Sequence, residues 1–166
     1  MNELRIYVAC LSSYSAGRLY GSWIDATQDA EDIEAEVQAM LKKSPMGGAE
    51  EWAIHDHEGF GDTIGEHTSF TDVAAIAAFF EEHGEAGKLA LSNHCGNIDD
   101  AENTMEHYNG VHESLEAWAE DFIEETGMLS EVPDELQRYF DVKSWADDQC
   151  MTTERGTEGL HVWSQC

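Results

Sequence analysis

Basic residues are scarce in this sequence. Eight lysines and arginines stand against 35 aspartates and glutamates, which gives the 166-residue chain a formal net charge of -27. Nucleic acids and anionic membranes repel such a protein, because both present dense negative groups of their own. The composition therefore argues against phosphate contacts with nucleic acid and against membrane binding, and it favours basic protein surfaces as partners.

Long apolar runs are missing too. The N-terminal run from Leu4 to Leu11 is interrupted by Arg5, and it is too short for a signal-peptide core or a membrane span. The four cysteines are widely separated and form no C-x-x-C pair, so reduced thiols in a cytoplasm are the economical interpretation, with secretion by an unrecognised route as the alternative. They are Cys10, Cys95, Cys150 and Cys166.

The sequence also lacks the common catalytic and nucleotide-binding motifs, including the P-loop, the G-x-G-x-x-G fingerprint, H-E-x-x-H and the calcium loop. Two short clusters contain metal-ligating residue types, His55-Asp56-His57 and His94-Cys95, but spacings of this kind often arise by chance. Acids are so numerous that no pair can be singled out as general acid and base. We therefore predict no enzyme, no cofactor and no metal; a metal-dependent enzyme using His55 and His57 is kept as an alternative.

The sequence does contain enough apolar residues to form a folded core. The composition is 42% hydrophobic and 10% aromatic, and a chain of 166 residues can bury a core as one compact domain or as two or three small ones. A disordered acidic tail would have few aromatic residues. The chain is therefore a folded polyanion.

The first third of the chain predicts an N-terminal β-β-α-β domain over residues 1–61. Two runs rich in β-branched and aromatic residues, Leu4 to Leu11 and Arg18 to Asp25, are joined by turn residues 12–17. A helix is expected from Thr27 or Asp29, with early acids that suit the helix dipole. Residues Glu51 to His57 predict the third strand.

The next segment, residues 62–108, predicts a central helical domain. A helix capped by Ser69 or Thr71 is expected to end at His83-Gly84, followed by a further turn or two over residues 88–91. Residues Ile98 to His107 are a weaker helical candidate, and Asn109-Gly110 is expected to form a tight turn.

The remaining residues, 109–166, predict a C-terminal α+β domain that closes with a strand over Gly159 to Ser164. A helix starting near Ser114 carries an apolar stripe at helical spacing, and Gly127 suits its C-cap. The stripe consists of Leu115, Trp118, Ala119, Phe122 and Ile123. Pro133 suits the first turn of the next helix, which would carry Leu136, Tyr139 and Phe140 on one side. That side closes a core or meets another subunit, and the local sequence alone favours the core.

Acidic residues are unusually concentrated between Lys88 and Arg138. Residues 89–137 contain 13 acids and no lysine or arginine. Acids three or four residues apart on a helix repel by a few tenths of a kcal/mol, so a requirement other than helix stability sets this pattern. Duplex DNA carries one charge per ~1.7 Å, so 27 charges would cover roughly 46 Å at that density. A globule of this length is about 40 Å across, so one chain carries about the charge of the DNA it could replace.

Composition alone is consistent with two interpretations of this acidity. A folded polyanion can occupy a DNA-binding groove, whereas the proteins of halophiles are acidic and lysine-poor in order to stay hydrated in salt.

An ordered set of short motifs resembles the ArdA antirestriction proteins of conjugative plasmids and transposons, over essentially the whole chain. The set is Tyr14-x-x-Gly17-x-x-x-Gly21-x-Trp23-x-Asp25, Asp56-His57-Glu58-Gly59-Phe60, Glu125-Thr126-Gly127, Glu131-Val132-Pro133 and Tyr139-Phe140-Asp141. Residues 128–142 correspond to the segment called the antirestriction motif in that family.

The resemblance implies an elongated, curved protein of three small α+β subdomains that dimerises through its C-terminal domain and imitates bent B-form DNA. Such a dimer would occupy the DNA groove of a type I restriction–modification enzyme and block its specificity and methyltransferase subunits without catalysis. By position, the resemblance implies that the apolar residues of the antirestriction motif lie at the dimer contact, in contrast to the core position that the local sequence favours. This set is Leu129, Val132, Leu136, Tyr139 and Phe140.

The chain departs from the family pattern near this contact. Val142 stands where members often have Tyr, and Asp147-Asp148-Gln149 stands where they often have Arg-Asp-Leu, which places the local dimer geometry in question. The function predicted is a homodimeric antirestriction protein of a mobile genetic element, acting in the cytoplasm of a bacterial host, that binds neither nucleic acid nor membrane. The alternative is an acidic or halophilic domain that binds another basic protein without DNA competition.

Twenty carboxylates are predicted to act as phosphate surrogates. They are Asp29, Glu31, Asp32, Glu34, Glu36, Glu50, Glu51, Asp99, Asp100, Glu102, Glu106, Glu113, Glu116, Glu120, Asp121, Glu124, Glu125, Glu131, Asp134 and Glu135.

Overall fold

The computed structural model describes residues 3–165 and confirms an α+β fold, with 44% of residues in helices and 20% in strands. The N-terminal part contains an antiparallel sheet and a helix, the central part is helical, and the C-terminal part combines helices with short strands. In chain order the elements are β1 (Arg5–Cys10), α1 (Leu11–Ser15), β2 (Gly21–Asp25), α2 (Ala30–Lys42), β3 (Trp52–Glu58), α3 (Phe70–Asn93), α4 (Ile98–Met105), β4 (Tyr108–His112), α5 (Leu115–Thr126), α6 (Asp134–Gln137), α7 (Val142–Asp147), β5 (Met151–Arg155) and β6 (Leu160–Ser164).

The N-terminal sheet has the strand order β2-β1-β3, and both pairs are antiparallel. Strand alternation places Ile6, Val8 and Cys10 of the central strand β1 on the core side, where all three are fully buried. The prediction that residues 12–17 form only a turn was wrong. Residues Leu11–Ser15 form the short helix α1, because Ser13 is buried and its hydroxyl pairs with the Ser44 hydroxyl at 3.0 Å.

The first long helix, α2, begins where the sequence predicted. Asp29 is its N-cap residue, and Glu31 and Asp32 occupy the first turn, where the helix dipole favours negative charge. Its stripe of Ile33, Val37, Met40 and Leu41 is buried against the sheet and α3.

Helix α3 continues past the predicted end at His83-Gly84. The Ser69 hydroxyl caps it by accepting from the Asp72 N–H, and Gly84 kinks it with φ 58 and ψ -137. Only glycine adopts this backbone region without strain, so the helix changes direction there and resumes to Asn93. α4 follows over Ile98–Met105, within the range predicted.

One apolar core joins the N-terminal sheet to α2, α3 and Ala101 of α4. A second, smaller core lies in the C-terminal part, where Trp118 and Ala119 of α5 pack with Ala146 of α7 and Val162 of β6. The division at residues 61/62 and 108/109 into three domains stays a prediction.

The C-terminal sheet has the antiparallel order β4-β6-β5. The predicted closing strand is present as β6, whereas β5 was not predicted. Asn109-Gly110 was predicted to form a tight turn, and this was wrong: both residues lie inside β4, where the register with β6 shifts between Tyr108 and Val111. Gly110, at φ 93, accommodates that irregularity.

The segment from α5 to α7 confirms one predicted helix and corrects the other. Ser114 caps α5 through the Ala117 N–H, and Gly127 ends it in the left-handed region at φ 63. The following helix α6 has only four residues, with Pro133 at its N-cap position rather than in its first turn, and it ends before Tyr139. The prediction that this helix carries Leu136, Tyr139 and Phe140 on one side was therefore wrong, because only Leu136 lies within it.

The surface area indicates an extended molecule. The accessible surface is 10151 Å², whereas a compact protein of 18.5 kDa exposes about 8,200 Å² by the usual scaling with mass. Two separate apolar cores account for part of this excess, because each exposes its own perimeter. Within residues 3–165, no helix is both long and apolar enough to cross a membrane.

Candidate interaction surfaces

The carboxylates predicted as phosphate surrogates lie on the outside of the molecule. All twenty are exposed. They come from α2, from the loop before β3, from α4, and from the stretch between β4 and α6, so both the N-terminal and the C-terminal parts contribute. In α2, α4 and α5 the apolar side is turned into a core, which leaves the acidic side to solvent.

Little of this negative charge is neutralised by neighbouring cations. Within the described residues, none of the twenty pairs with a lysine or arginine; Asp121 alone has a histidine within ion-pair distance, His112 Nδ1 at 3.2 Å, which carries charge only when protonated. The two close pairs formed by lysine or arginine, Arg5–Glu58 at 2.7 Å and Lys143–Asp147 at 2.6 Å, use other acids. The hydrogen bond from Arg5 lowers the pKa of Glu58, and bonds from the main chain and hydroxyl of Ser144 lower that of Asp141.

The residues of the predicted dimer contact lie in the segment between α5 and α7. Leu136 is 57% exposed and Tyr139 79% exposed, although both are large and apolar. Leu129, Val132 and Phe140 are half-buried beside them. The five side chains thus lie in one short, largely open segment of the described surface.

A single side chain braces this segment. The amide Nε2 of Gln137 donates to the main-chain carbonyls of Leu129 at 3.1 Å and Val132 at 2.9 Å. Phe140 packs at the edge of Trp145, with 6.5 Å between ring centroids. The segment therefore has a fixed shape and still exposes Leu136 and Tyr139.

The histidines considered as metal ligands have other neighbours. The His55 ring stands edge-on to Tyr14 at 4.8 Å, the His57 ring lies near Phe60 at 6.2 Å, and His94 Nε2 is 2.7 Å from the Thr104 hydroxyl. In the part of the chain that the structure describes, no group of three or more histidine, cysteine, aspartate or glutamate side chains is arranged to hold a metal ion.

One carboxylate absent from the prediction has the most elaborate environment. Glu85 accepts hydrogen bonds from the N–H and hydroxyl of Thr157, the N–H of Glu158 and the ring of His161. These bonds, led by those from Thr157, lower the pKa of Glu85 to about 2. The sequence offered one signal for this site, a lone histidine among the apolar residues Leu160, Val162 and Trp163, but nothing in it paired His161 with a residue 76 positions earlier.

Together, the fold and the surface define a strongly acidic α+β protein whose carboxylates face outward and are largely unpaired. A family model described as "Antirestriction protein (ArdA)" matches residues 6–159. The chain therefore belongs to the ArdA antirestriction protein family, a family of inhibitors that act on restriction–modification enzymes. No curated protein matches the chain.

Proposed function

We propose that this antirestriction protein is a DNA mimic, which occupies the DNA-binding groove of a type I restriction–modification enzyme and so blocks restriction. The observation that carries the proposal is the outward, uncompensated array of twenty carboxylates. A groove built to bind phosphates is lined with lysine and arginine, and these side chains bind carboxylates through the same charge-assisted hydrogen bonds.

The charge density of helix α5 supports the comparison with DNA. Its 12 residues span about 18 Å at 1.5 Å per residue. One DNA strand carries about five phosphates over that length, at 3.4 Å each. The helix carries five acids, namely Glu116, Glu120, Asp121, Glu124 and Glu125. The acids of this helix, spread over about half of its circumference, thus match the number of charges on one DNA strand of the same length.

The proposed active form is a homodimer joined through the antirestriction segment. Leu136 and Tyr139 are the exposed anchors, and the half-buried Leu129, Val132 and Phe140 continue the same surface. Tyrosine, tryptophan and arginine side chains buried near the centre of an interface supply most of its binding energy, so Tyr139 is expected to contribute more than Leu136. A dimer would double the length of the acidic surface, so that it spans more of the target groove.

The inhibitor acts by occupancy, without catalysis, cofactor or metal. Its target is the complex of specificity and methyltransferase subunits, its place of action is the cytoplasm of a bacterial host, and its origin is a mobile genetic element. Neither nucleic acid nor membrane is a partner, because the charge of -27 repels both.

Competition with DNA tests the proposal. A fluorescent duplex bearing the recognition site is bound to a type I methyltransferase core complex, and the purified protein is titrated in at several salt concentrations. Displacement near stoichiometric protein, weakening as salt rises, is the expected result. The absence of displacement from several type I complexes by a folded dimer would reject the DNA-mimic mechanism and favour a different basic partner.

A further inference from the structure

We infer that Glu85 is a positioning residue, which fixes the angle between the two acidic parts of the molecule instead of serving as a phosphate surrogate. The N-terminal body is defined here as the elements β1 to α4, and the C-terminal body as β4 to β6. The inference rests on the proposed function in one respect only, namely that the relative placement of the two bodies matters for binding a groove.

The carboxylate of Glu85 is saturated by donors of the other body. Its Oε1 accepts from the Thr157 N–H at 2.8 Å and the Thr157 hydroxyl at 2.6 Å. Its Oε2 accepts from the Glu158 N–H at 3.0 Å and from His161 Nε2 at 3.1 Å. A carboxylate has about four acceptor positions, so none is left for an external lysine or arginine.

The contact extends into the C-terminal sheet. His161 is 1% exposed, and its Nδ1 lies 2.8 Å from the Tyr108 hydroxyl. Because an ionised carboxylate can only accept, the proton on Nε2 is assigned toward Glu85, and Nδ1 pairs with the Tyr108 hydroxyl. The rings of Tyr108, His161 and Trp163 lie 5.4 to 5.9 Å apart, which connects the position of Glu85 to the packing of β4 against β6.

Two glycines make the contact possible. Gly84 directs α3 toward the C-terminal body through its φ of 58 and ψ of -137. Gly156 lies against the carboxylate, and a Cβ there would clash with Glu85 Oε2 and would stand 2.8 Å from His161 Nε2. A larger residue at position 156 would displace Glu85 sterically, whereas a larger residue at position 84 has open space but would strain the backbone that directs the helix.

Few other contacts hold the two bodies together. Their apolar cores share no residue, and a cleft of about 830 Å³ lies between them, lined by Asn93, His94, Asn103, Thr153 and Glu154 among others. Across this cleft the Asn93 amide donates to the Glu154 carboxylate, and the chain itself crosses near His107, whose carbonyl accepts from the Ser164 N–H. The two bodies touch through their surfaces and share no core. Removal of the Glu85 side chain would therefore allow the angle between the two bodies to vary.

A fixed angle between the two bodies helps an acidic protein of this kind to bind a groove. Helices α2 and α5, which carry much of the acidic surface, belong to different bodies, so the angle between the bodies sets how the two acidic surfaces lie relative to each other. Without a fixed angle the bodies would sample many orientations, and a groove would have to select one of them. Pre-organisation of this kind strengthens binding by removing the ordering cost.

The test measures the distance between the bodies directly. Cys95 of the N-terminal body and Cys150 of the C-terminal body are exposed, while Cys10 is buried, so spin labels on the first two report the placement of the bodies once Cys166 is replaced by serine. Labelled chains are diluted with unlabelled protein, so that a dimer contains one labelled chain. Glu85→Ala is compared with Glu82→Ala, which removes the same charge from an exposed residue of the same helix.

The expected result is a broadened or shifted distance distribution and at least a tenfold weaker DNA displacement for Glu85→Ala, with both readouts unchanged for Glu82→Ala. Thr157→Val, which leaves the charge intact, should change both readouts in the same direction by a smaller amount, and it decides the question if Glu85→Ala does not fold. An unaltered distance distribution in folded Glu85→Ala would overturn the inference. If the parent protein failed to displace DNA, the proposed function would fall, but the distance measurement would still decide the role of Glu85.

Discussion

The side-chain amide of Gln137 lies 2.9 Å from the main-chain carbonyl of Val132 and closes the turn that precedes α6. Its second bond, to the carbonyl of Leu129, ties the same turn to the end of α5. This bracing holds a segment with little regular structure in a conformation that exposes Leu136 and Tyr139. A preformed apolar surface of this kind is suited to contact with a second copy of the chain.

Substitution of Tyr139 by alanine is expected to break the dimer without unfolding the chain. The side chain is 79% exposed, so its loss should change the free energy of unfolding of the subunit by less than about 0.5 kcal/mol. A central aromatic anchor is worth about 2 kcal/mol or more at an interface, which is roughly a 30-fold rise in dimer Kd. Sedimentation equilibrium measures this Kd, and Leu19→Ala is the matched control, because Leu19 is a 72% exposed apolar residue of the N-terminal body. An equal dimer Kd for Tyr139→Ala and the parent would show that Tyr139 is not part of the dimer contact.

Neutralisation of acids on α5 is expected to weaken inhibition step by step. A single change such as Glu120→Gln should alter affinity for the target by less than twofold, because many contacts share the binding energy. The triple variant Glu116→Gln, Glu120→Gln and Glu124→Gln should weaken it at least tenfold and flatten its salt dependence. Competition titrations at two salt concentrations check this, and a single substitution that abolished binding would argue against distributed mimicry.

The same triple variant should fold at least as well as the parent. These glutamates follow one another at four-residue spacing on an exposed face, where like charges repel by about 0.2–0.5 kcal/mol per pair. Removing two such pairs should raise the free energy of unfolding by up to about 1 kcal/mol, as measured by urea denaturation. A large loss of stability instead would mean that the acids have structural partners.

Local signals in the sequence were sufficient for most of the fold. Asp29, Ser69, Ser114 and Gly127 mark helix ends through chemistry that involves only neighbouring residues, and each stands at the predicted boundary. The exposure of the acids also followed from sequence, since helical periodicity separates them from the apolar stripe. The family resemblance added what periodicity cannot supply, namely a function for the acidic surface.

The features that the sequence did not predict depend on distant residues. Helix α1 is explained by the burial of Ser13 against Ser44, and β5 by its pairing with β6. The Glu85 site depends most on distant residues. Three of its donors lie in the turn between β5 and β6 and the fourth is His161 of β6, and they reach the carboxylate only when this hairpin packs against the kinked helix. A glutamate that follows a glycine in the sequence gives no local signal of such a role.

Replacement of Gly84 by alanine is expected to destabilise the protein. Its φ of 58 with ψ of -137 lies in a region that is essentially reserved for glycine, and holding another residue there costs of order 1–3 kcal/mol. Urea denaturation should show a loss of this size. Gly47→Ala is the control, since Gly47 has a negative φ and open space around its Cα. An equal loss of stability in both variants would show that the backbone conformation at Gly84 does not require glycine.

The contact of Glu85 also predicts how stability depends on pH. Hydrogen bonds from Thr157, Glu158 and His161 lower the pKa of Glu85 from 4.5 to about 2 in the folded protein. A lowered folded-state pKa means that the ionised carboxylate stabilises the fold; this contribution is complete above pH 4.5 and is lost as the pH falls toward 2. The difference corresponds to roughly 3 kcal/mol, since each tenfold change in proton affinity is about 1.4 kcal/mol.

Glu85→Gln separates this contribution from those of the other acids. Its free energy of unfolding, measured by urea denaturation between pH 7 and pH 3, should lie below that of the parent by a constant amount at neutral pH, and the two curves should converge below pH 4.5 as the parent loses the ionised contact. Glu82→Gln, which removes an exposed carboxylate from the same helix, should follow the parent curve throughout. Parallel curves for the parent and Glu85→Gln down to pH 3 would show that the Glu85 carboxylate gains nothing from its four donors, and that some other contact joins the two bodies.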